Sequence, residues 1–309
     1  MTDTVSSKTP QAMEPLQEHR SLWGDVWRQF KNHKGAMVGS GVFLFIVFMV
    51  VFGPLIHTVD PQLLDIRNKN QGMSLAHPFG TDNLGRDMLA QVMAGGRVSL
   101  LVGVVAMALS LVLGALIGVL SGFFKSLDGP LMRLTDLFLA LPILPLLLVI
   151  IMLFRDPLRK QFGPETGIFI LIVFIIGITS WMQTARIVRG DVLALKEREF
   201  VLAARSIGTR SWRIVLRHIF PNVLSPIMVS ATLGIASAII TESSLSFLGL
   251  GFPSDYPTWG RLLYDGVNFL QLTPTRVLWP GLAISLTVLS VNYIGDGLRD
   301  ALDPRLRSR

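Results

Sequence analysis

Two acids stand inside the apolar stretches of this chain. Glu242 follows Pro221 by 21 residues, about 30 Å along a helix rising ~1.5 Å per residue. An acid that far into an apolar segment faces protein or water rather than lipid. Two roles suit it: a pathway or gate residue at the outer mouth of a membrane path, or a cap for backbone groups where its helix ends early. Asp136 is the second pathway or gate candidate. It lies three residues after Arg133, a spacing that lets the two pair on one helix face.

Neither acid joins a catalytic set. The five histidines (19, 33, 57, 77 and 218) are scattered and form no HExxH. No Gly-Lys pair occurs, so there is no phosphate-cradling Walker A loop, and no GxSxG elbow is present. There are no cysteines, which removes disulfides, thiolate metal sites and thiol nucleophiles. A proton-driven pump needs a relay of buried ionisable groups, and only scraps of one exist. The sequence predicts no catalytic residue and no metal site.

The elements that must position these residues are membrane spans. The chain has 309 residues, 50% hydrophobic and 16% charged, with mean hydropathy +0.53. That composition excludes disorder and argues against a soluble domain. Six apolar segments are predicted: 37–56, 98–123, 131–154, 168–188, 223–250 and 277–298. The fourth is the weakest, diluted by Ser180, Gln183 and Thr184. Pro142 and Pro145 should kink the third. Gly114, Gly118 and Gly122 recur every fourth residue and stack on one face, where another helix can approach closely. Gly35 and Gly39 repeat the pattern.

The net charge is +7. In a soluble protein that excess would raise nucleic acid as a partner; here the location of the charges matters more. With the N-terminus inside, 19 of the 28 Lys and Arg fall on the inner side, as the positive-inside rule requires for two cytoplasmic termini. Eight of them lie in residues 186–220. Residues 1–34 hold no early apolar stretch, so no cleavable signal peptide is predicted. Within them, residues 21–34 place Leu22, Trp23, Val26, Trp27 and Phe30 at helical spacing among basic residues. An amphipathic helix on a membrane surface and a helix packed on its own protein fit equally. The resulting divisions are a cytoplasmic segment 1–36, a first span and outer loop 37–97, a core transmembrane domain 98–298 and a cytoplasmic tail 299–309.

The basic loop is the most informative part. Residues 196–206 read as a short helix, Gly208 as its left-handed end, Ser211 as the N-cap of a second short helix reaching Phe220, and Pro221 as the entry to the next span. Ala203 and Ala204 leave room for another surface. These residues, with 13 positions from Gly208 to Pro221, resemble the cytoplasmic "EAA" loop of ABC importer permeases. The usual acid of that motif is replaced by Leu202, while acids occur earlier at Glu197 and Glu199, as in the peptide-transport branch. HPFGTDNLGRD (77–87), SLSFLGLG (244–251) with Trp259-Gly260, and GDGLRDALDPR (295–305) resemble further stretches of that branch. HPFGTDNLGRD itself reads as a turn-rich structural or gating loop rather than a substrate contact.

Together the motifs resemble the C-type permease subunit of dipeptide, oligopeptide and nickel importers over residues 21–305. The resemblance implies an all-α fold of six transmembrane helices, both termini inside, of the type I ABC importer kind. It implies a non-catalytic subunit in the cytoplasmic (inner) membrane of a bacterium, importing di- or oligopeptides. The alternatives are nickel or another small solute, or a stand-alone secondary transporter. The loop 196–221 becomes a coupling helix, with Glu199, Ala203, Ala204, Arg205, Gly208, Arg210 and Pro221 as its ATPase-coupling residues. The implied partners are a homologous second permease in a heterodimer, one or two cytoplasmic ATPases, a periplasmic or lipid-anchored binding protein, peptide substrate and membrane lipid, with no nucleic acid. No cofactor is implied in this chain; ATP and Mg belong to the ATPases.

Overall fold

The computed structural model describes residues 22–253 and 255–302, and among these every regular element is helical. The predicted tail beyond 302, with Pro304 and Arg305, lies outside the described residues. Helix α1 (Leu22–Asn32) meets α2 (Lys34–Ile56) at an elbow on His33, whose side chain accepts from the Ala36 amide at 2.9 Å. Next come α3 (Met88–Phe123), α4 (Lys125–Ala140), α5 (Ile143–Phe162) and α6 (Pro164–Leu195). The short α7 (Glu199–Ser206) and α8 (Ser211–Ile214) lead through a π turn (Val215–Ile219) into α9 (Phe220–Phe247), followed by α10 (Trp259–Val267) and α11 (Thr275–Leu302). Five helices are long and apolar enough to cross a membrane, six if the bent pair α4–α5 counts as one span.

Three expectations about the spans change. The second apolar helix begins at Met88, ten residues before the predicted start. Asp87 fixes that start by accepting from the Ala90 amide at 2.7 Å. The third segment is divided into two helices, α4 and α5, that meet at 88°. Pro142 takes the N-cap of α5 in an extended conformation. Pro145 lies in the first turn of α5, where its missing N–H has no intrahelical partner to lose. The fourth segment is the most enclosed, with 67% of its apolar window buried.

That enclosure comes from α3. Gly114, Gly118 and Gly122 face α6 so closely that an added Cβ would lie 2.7 Å from Thr184 Cβ, from both Ala185 O and Val188 Cβ, and from Val192 Cβ respectively. Backbones at this separation trade side-chain bulk for many short dispersion contacts. On the opposite flank Gly39 lets α2 lie against Ser290 and Tyr293 of α11. The amphipathic α1 turns Val26 and Phe30 onto Ala36 and Ala301, in a cluster that includes Leu298 and Leu302 of α11. One face of α1 thus packs on its own protein, while Trp27 is 54% exposed. The side chains of Leu22 and Trp23 lie outside the described ones.

At the end away from the basic loop, the stretch 57–87 folds over α3. Asp87 Oδ2 also hydrogen-bonds His77 Nδ1 at 2.8 Å, and its Oδ1 lies 3.0 Å from His57 Nε2. Asp82 Oδ1 accepts the amides of Leu84 and Arg86 at 2.7 and 2.9 Å. Gly80 and Gly85 hold φ of +78° and +77°, and a Cβ on Gly85 would collide with the Asp65 carbonyl. Phe79 stacks on Trp279 of α11, with centroids 3.9 Å apart. Arg276 is buried above Phe269 and donates to Asn83 Oδ1 at 2.6 Å.

Candidate functional site

The basic loop forms a compact helix–turn–helix. Its first helix starts at Glu199, not at residue 196, because α6 runs on to Leu195 and residues 196–198 make the turn. Its end is a double-bonded left-handed cap. The Gly208 amide donates to Arg205 O at 2.9 Å and the Thr209 amide to Ala204 O at 3.1 Å, with Gly208 at φ +74°. An added Cβ at Gly208 would meet nothing within 4 Å. Glycine is therefore needed there for its dihedral and not for space.

The second helix also differs from the sequence reading. Arg210, extended at φ −61° and ψ 139°, occupies the N-cap position and Ser211 is already helical. No break separates this helix from α9. The π turn carries one into the other, and Pro221 falls in the first turn of α9.

The back of this unit is bonded to the bundle. Val201, Ala204, Ile214, Val215 and Ile219 pack with Val119, Val188, Val192 and Val223 in one buried cluster. Ala204 thus serves the chain's own core, whereas Ala203 is exposed. The front presents Glu199, Arg205, Arg210 and Arg213 to solvent beside the apolar Phe200, Leu202, Ile207 and Trp212. Ile207 is 82% exposed at the tip of the turn. Arg205 lies 5.3 Å from the ring centroid of Phe123, at the end of α3. An exposed patch of apolar tips ringed by guanidinium groups has the composition of a protein-binding surface.

Two ion pairs behind this unit escaped the sequence reading. Arg189 of α6 holds Asp128 of α4 through two bonds, Nε to Oδ1 at 2.5 Å and Nη2 to Oδ2 at 2.8 Å. One turn earlier, Arg186 holds Asp136 at 2.5 Å. Asp136 therefore pairs across to α6 and not with Arg133 on its own helix. Lys196 adds a bond to Gly122 O at 3.2 Å. The only sequence signal was a set of opposite charges at the ends of two apolar segments; nothing in the spacing matched 128 to 189.

Glu242 sits far from this surface. It has no solvent exposure, so within this chain it lines no open path. Among the described residues it also caps no backbone group. Its oxygens accept hydroxyl hydrogens from Ser99 of α3 at 3.0 Å and from Ser246 at 2.8 Å. Ser99 Oγ in turn accepts the Trp259 amide at 3.3 Å. The acid thereby ties α3, α9 and α10 together. Among the described residues no group of three or more metal-ligating side chains comes together.

The comparisons with known proteins agree with one another. Residues 110–308 match the family described as binding-protein-dependent transport system inner membrane component. Residues 21–78 match the N-terminal transmembrane domain of oligopeptide transport permease C. The oligopeptide transport system permease protein OppC of Bacillus subtilis (strain 168) is 38% identical over 308 residues, covering 99% of this chain and 97% of its own. The dipeptide transport system permease protein DppC of Alkalihalophilus pseudofirmus is 36% identical, covering 97% of both chains. The glutathione transport system permease protein GsiD of Pectobacterium atrosepticum is 35% identical over 94% of this chain and 93% of its own. A helical chain with a cemented, solvent-facing helix–turn–helix and matches that run nearly end to end belongs to the inner membrane permease components of binding-protein-dependent transport systems, in the oligopeptide permease C branch.

Proposed function

We propose that this chain is one half of the membrane pathway of an ATP-driven importer of di- or oligopeptides. A homologous permease forms the other half. One or two cytoplasmic ATPases drive the pair, and a periplasmic or lipid-anchored binding protein delivers the peptide. The observation that carries the reading is the helix–turn–helix 199–219. Its back is fused to α3, α6 and α9 while its front offers apolar tips and guanidinium groups. A motor that displaces this unit displaces the bundle with it.

In this reading Glu199, Ala203, Arg205 and Arg210 face the ATPase, whereas Ala204, Gly208 and Pro221 hold the shape that presents them. The exposed acid and arginines provide steering and register, and the apolar tips provide area. The loop lies on the cytoplasmic side, as do both termini, in line with the excess of basic residues there. The chain binds no cofactor and performs no chemistry; ATP and Mg stay with the motor. Glu242 is a structural tie rather than a gate, and Asp136 a brace.

The test is uptake of labelled di- and tetrapeptides by cells carrying the assembled importer with Arg205→Gln and Arg210→Gln combined. The outcome in favour is at least a tenfold loss of uptake with the chain still in the membrane, together with loss of ATPase copurification. Normal uptake and normal copurification would sink the docking assignment.

A further inference from the structure

The elbow between α1 and α2 encloses an apolar groove of about 420 Å³. Trp27 and Phe30 form its α1 wall, and Met37, Gly41, Phe43 and Leu44 its α2 wall. At Gly41 an added Cβ would meet nothing within 4 Å, so the groove is open along its floor. Two lysines flank the elbow at His33. Lys31 Nζ lies 5.0 Å from the Trp27 ring centroid. Lys34, the first residue of α2, is exposed one turn before Met37. Arg28 is engaged by Asp25 at 3.2 Å.

We propose that this groove binds an anionic phospholipid, one acyl chain lying along Gly41 and Leu44 and the phosphate held by Lys31 and Lys34. Two observations favour a lipid over a helix of another subunit. First, the groove is continuous with the outward side of α2, where Leu44, Phe45, Phe48 and Phe52 are exposed, the surface of a span that meets hydrocarbon. Second, its walls are almost wholly apolar while Lys31 and Lys34 flank the elbow beside it, which matches an amphiphile with a negative head. A packed helix would present apolar side chains along its whole length and leave both lysines without a partner. The inference rests on α2 being a membrane span and not on the transport reading.

The experiment is native mass spectrometry of the full-length chain in detergent micelles, titrated with phosphatidylglycerol or phosphatidylcholine. One tightly held phosphatidylglycerol per chain is expected, with phosphatidylcholine at least tenfold weaker. Lys31→Gln with Lys34→Gln should weaken phosphatidylglycerol roughly 30-fold, at about fivefold per lysine. Gly41→Leu should displace both lipids. It enters open space on a helix and raises helix propensity, and unchanged circular dichroism verifies its fold. Equal retention of the two lipids, no effect of the lysine pair, or no effect of Gly41→Leu each overturns the proposal. Because the chain has no cysteine, Ser40→Cys places a single photo-crosslinker at the groove in native membranes. Crosslinking to lipid supports the site, and crosslinking mainly to another polypeptide overturns it.

Discussion

Arg189 grips Asp128 as a fork, with both of its bonds at or under 2.8 Å, although the two stand 61 positions apart in the chain. The pair fastens the start of α4 to α6 just before α6 enters the helix–turn–helix. With side chains 33% and 28% exposed, water screens part of the attraction. Asp128→Asn should therefore destabilise the chain by about 1 kcal/mol. The reversed pair, Asp128→Arg with Arg189→Asp, should recover part of that loss. A double-mutant cycle on the detergent unfolding midpoint measures the coupling; strict additivity of the two single changes would deny it.

Gly208 separates dihedral from space. Gly208→Asn should keep most peptide uptake, since Asn tolerates positive φ. Gly208→Val meets no steric obstacle, yet a β-branched residue resists φ +74°, at a cost of about 1–2 kcal/mol or more. Uptake should fall at least tenfold while membrane insertion remains normal. Equal uptake by the two variants would show that the cap does not shape the docking surface.

The α3–α6 seam should be intolerant of bulk. Gly118→Leu forces side-chain atoms into Ala185 O and Val188 Cβ, both 2.7 Å from an added Cβ, and should destabilise by about 1–3 kcal/mol. Gly190 lies on the same α6 with nothing within 4 Å of a Cβ. Gly190→Ala should be neutral or gain about 0.5–1 kcal/mol. Thermal midpoints in detergent compare the two, and equal effects would contradict the packing.

Glu242 is testable as a buried tie. Glu242→Ala leaves the hydroxyls of Ser99, Ser243 and Ser246 without an acceptor and opens a cavity, costing about 3 kcal/mol. Glu242→Gln, which keeps an acceptor, should cost less. In a chain with no native cysteine, Glu242→Cys should resist a water-soluble thiol reagent that labels an exposed Gly72→Cys control. Labelling at the control rate would place position 242 on a water-filled path.

What could be read before the fold was known depended on the range of each signal. The turn at Gly208 and the glycine stripe 114–118–122 are local patterns and were legible as such. Their partners were not: nothing in spacing says that Thr184 and Ala185 fill the gaps left by those glycines. For the same reason the fourth segment looked weakest. Thr184 dilutes it for lipid but suits a tight seam against α3. The pairing of Asp136 with Arg133 followed a sound helix rule and lost to Arg186, a longer-range neighbour that no periodicity reports. Pro142 announced a kink, but the 88° turn arises because it starts a new helix rather than bending an old one. Glu242 was visible as an anomaly, while its hydroxyl partners on α3 and α9 were visible only in three dimensions.

The glycine seam has a mechanical consequence. Helices packed so closely that an added Cβ would lie 2.7 Å from the neighbour at three positions, and braced at one end by Lys196 on Gly122 O, should move as a single stiff beam. The unit 199–219 is joined to the end of that beam by residues 196–198 and by the packing of Val201, Ala204, Ile214, Val215 and Ile219 on Val119, Val188 and Val192. In the proposed importer, a push on this unit would therefore be felt by α3 and α6 together. The sharpest bend beside it is the 88° corner between α4 and α5 at Leu141–Pro142, outside the glycine seam.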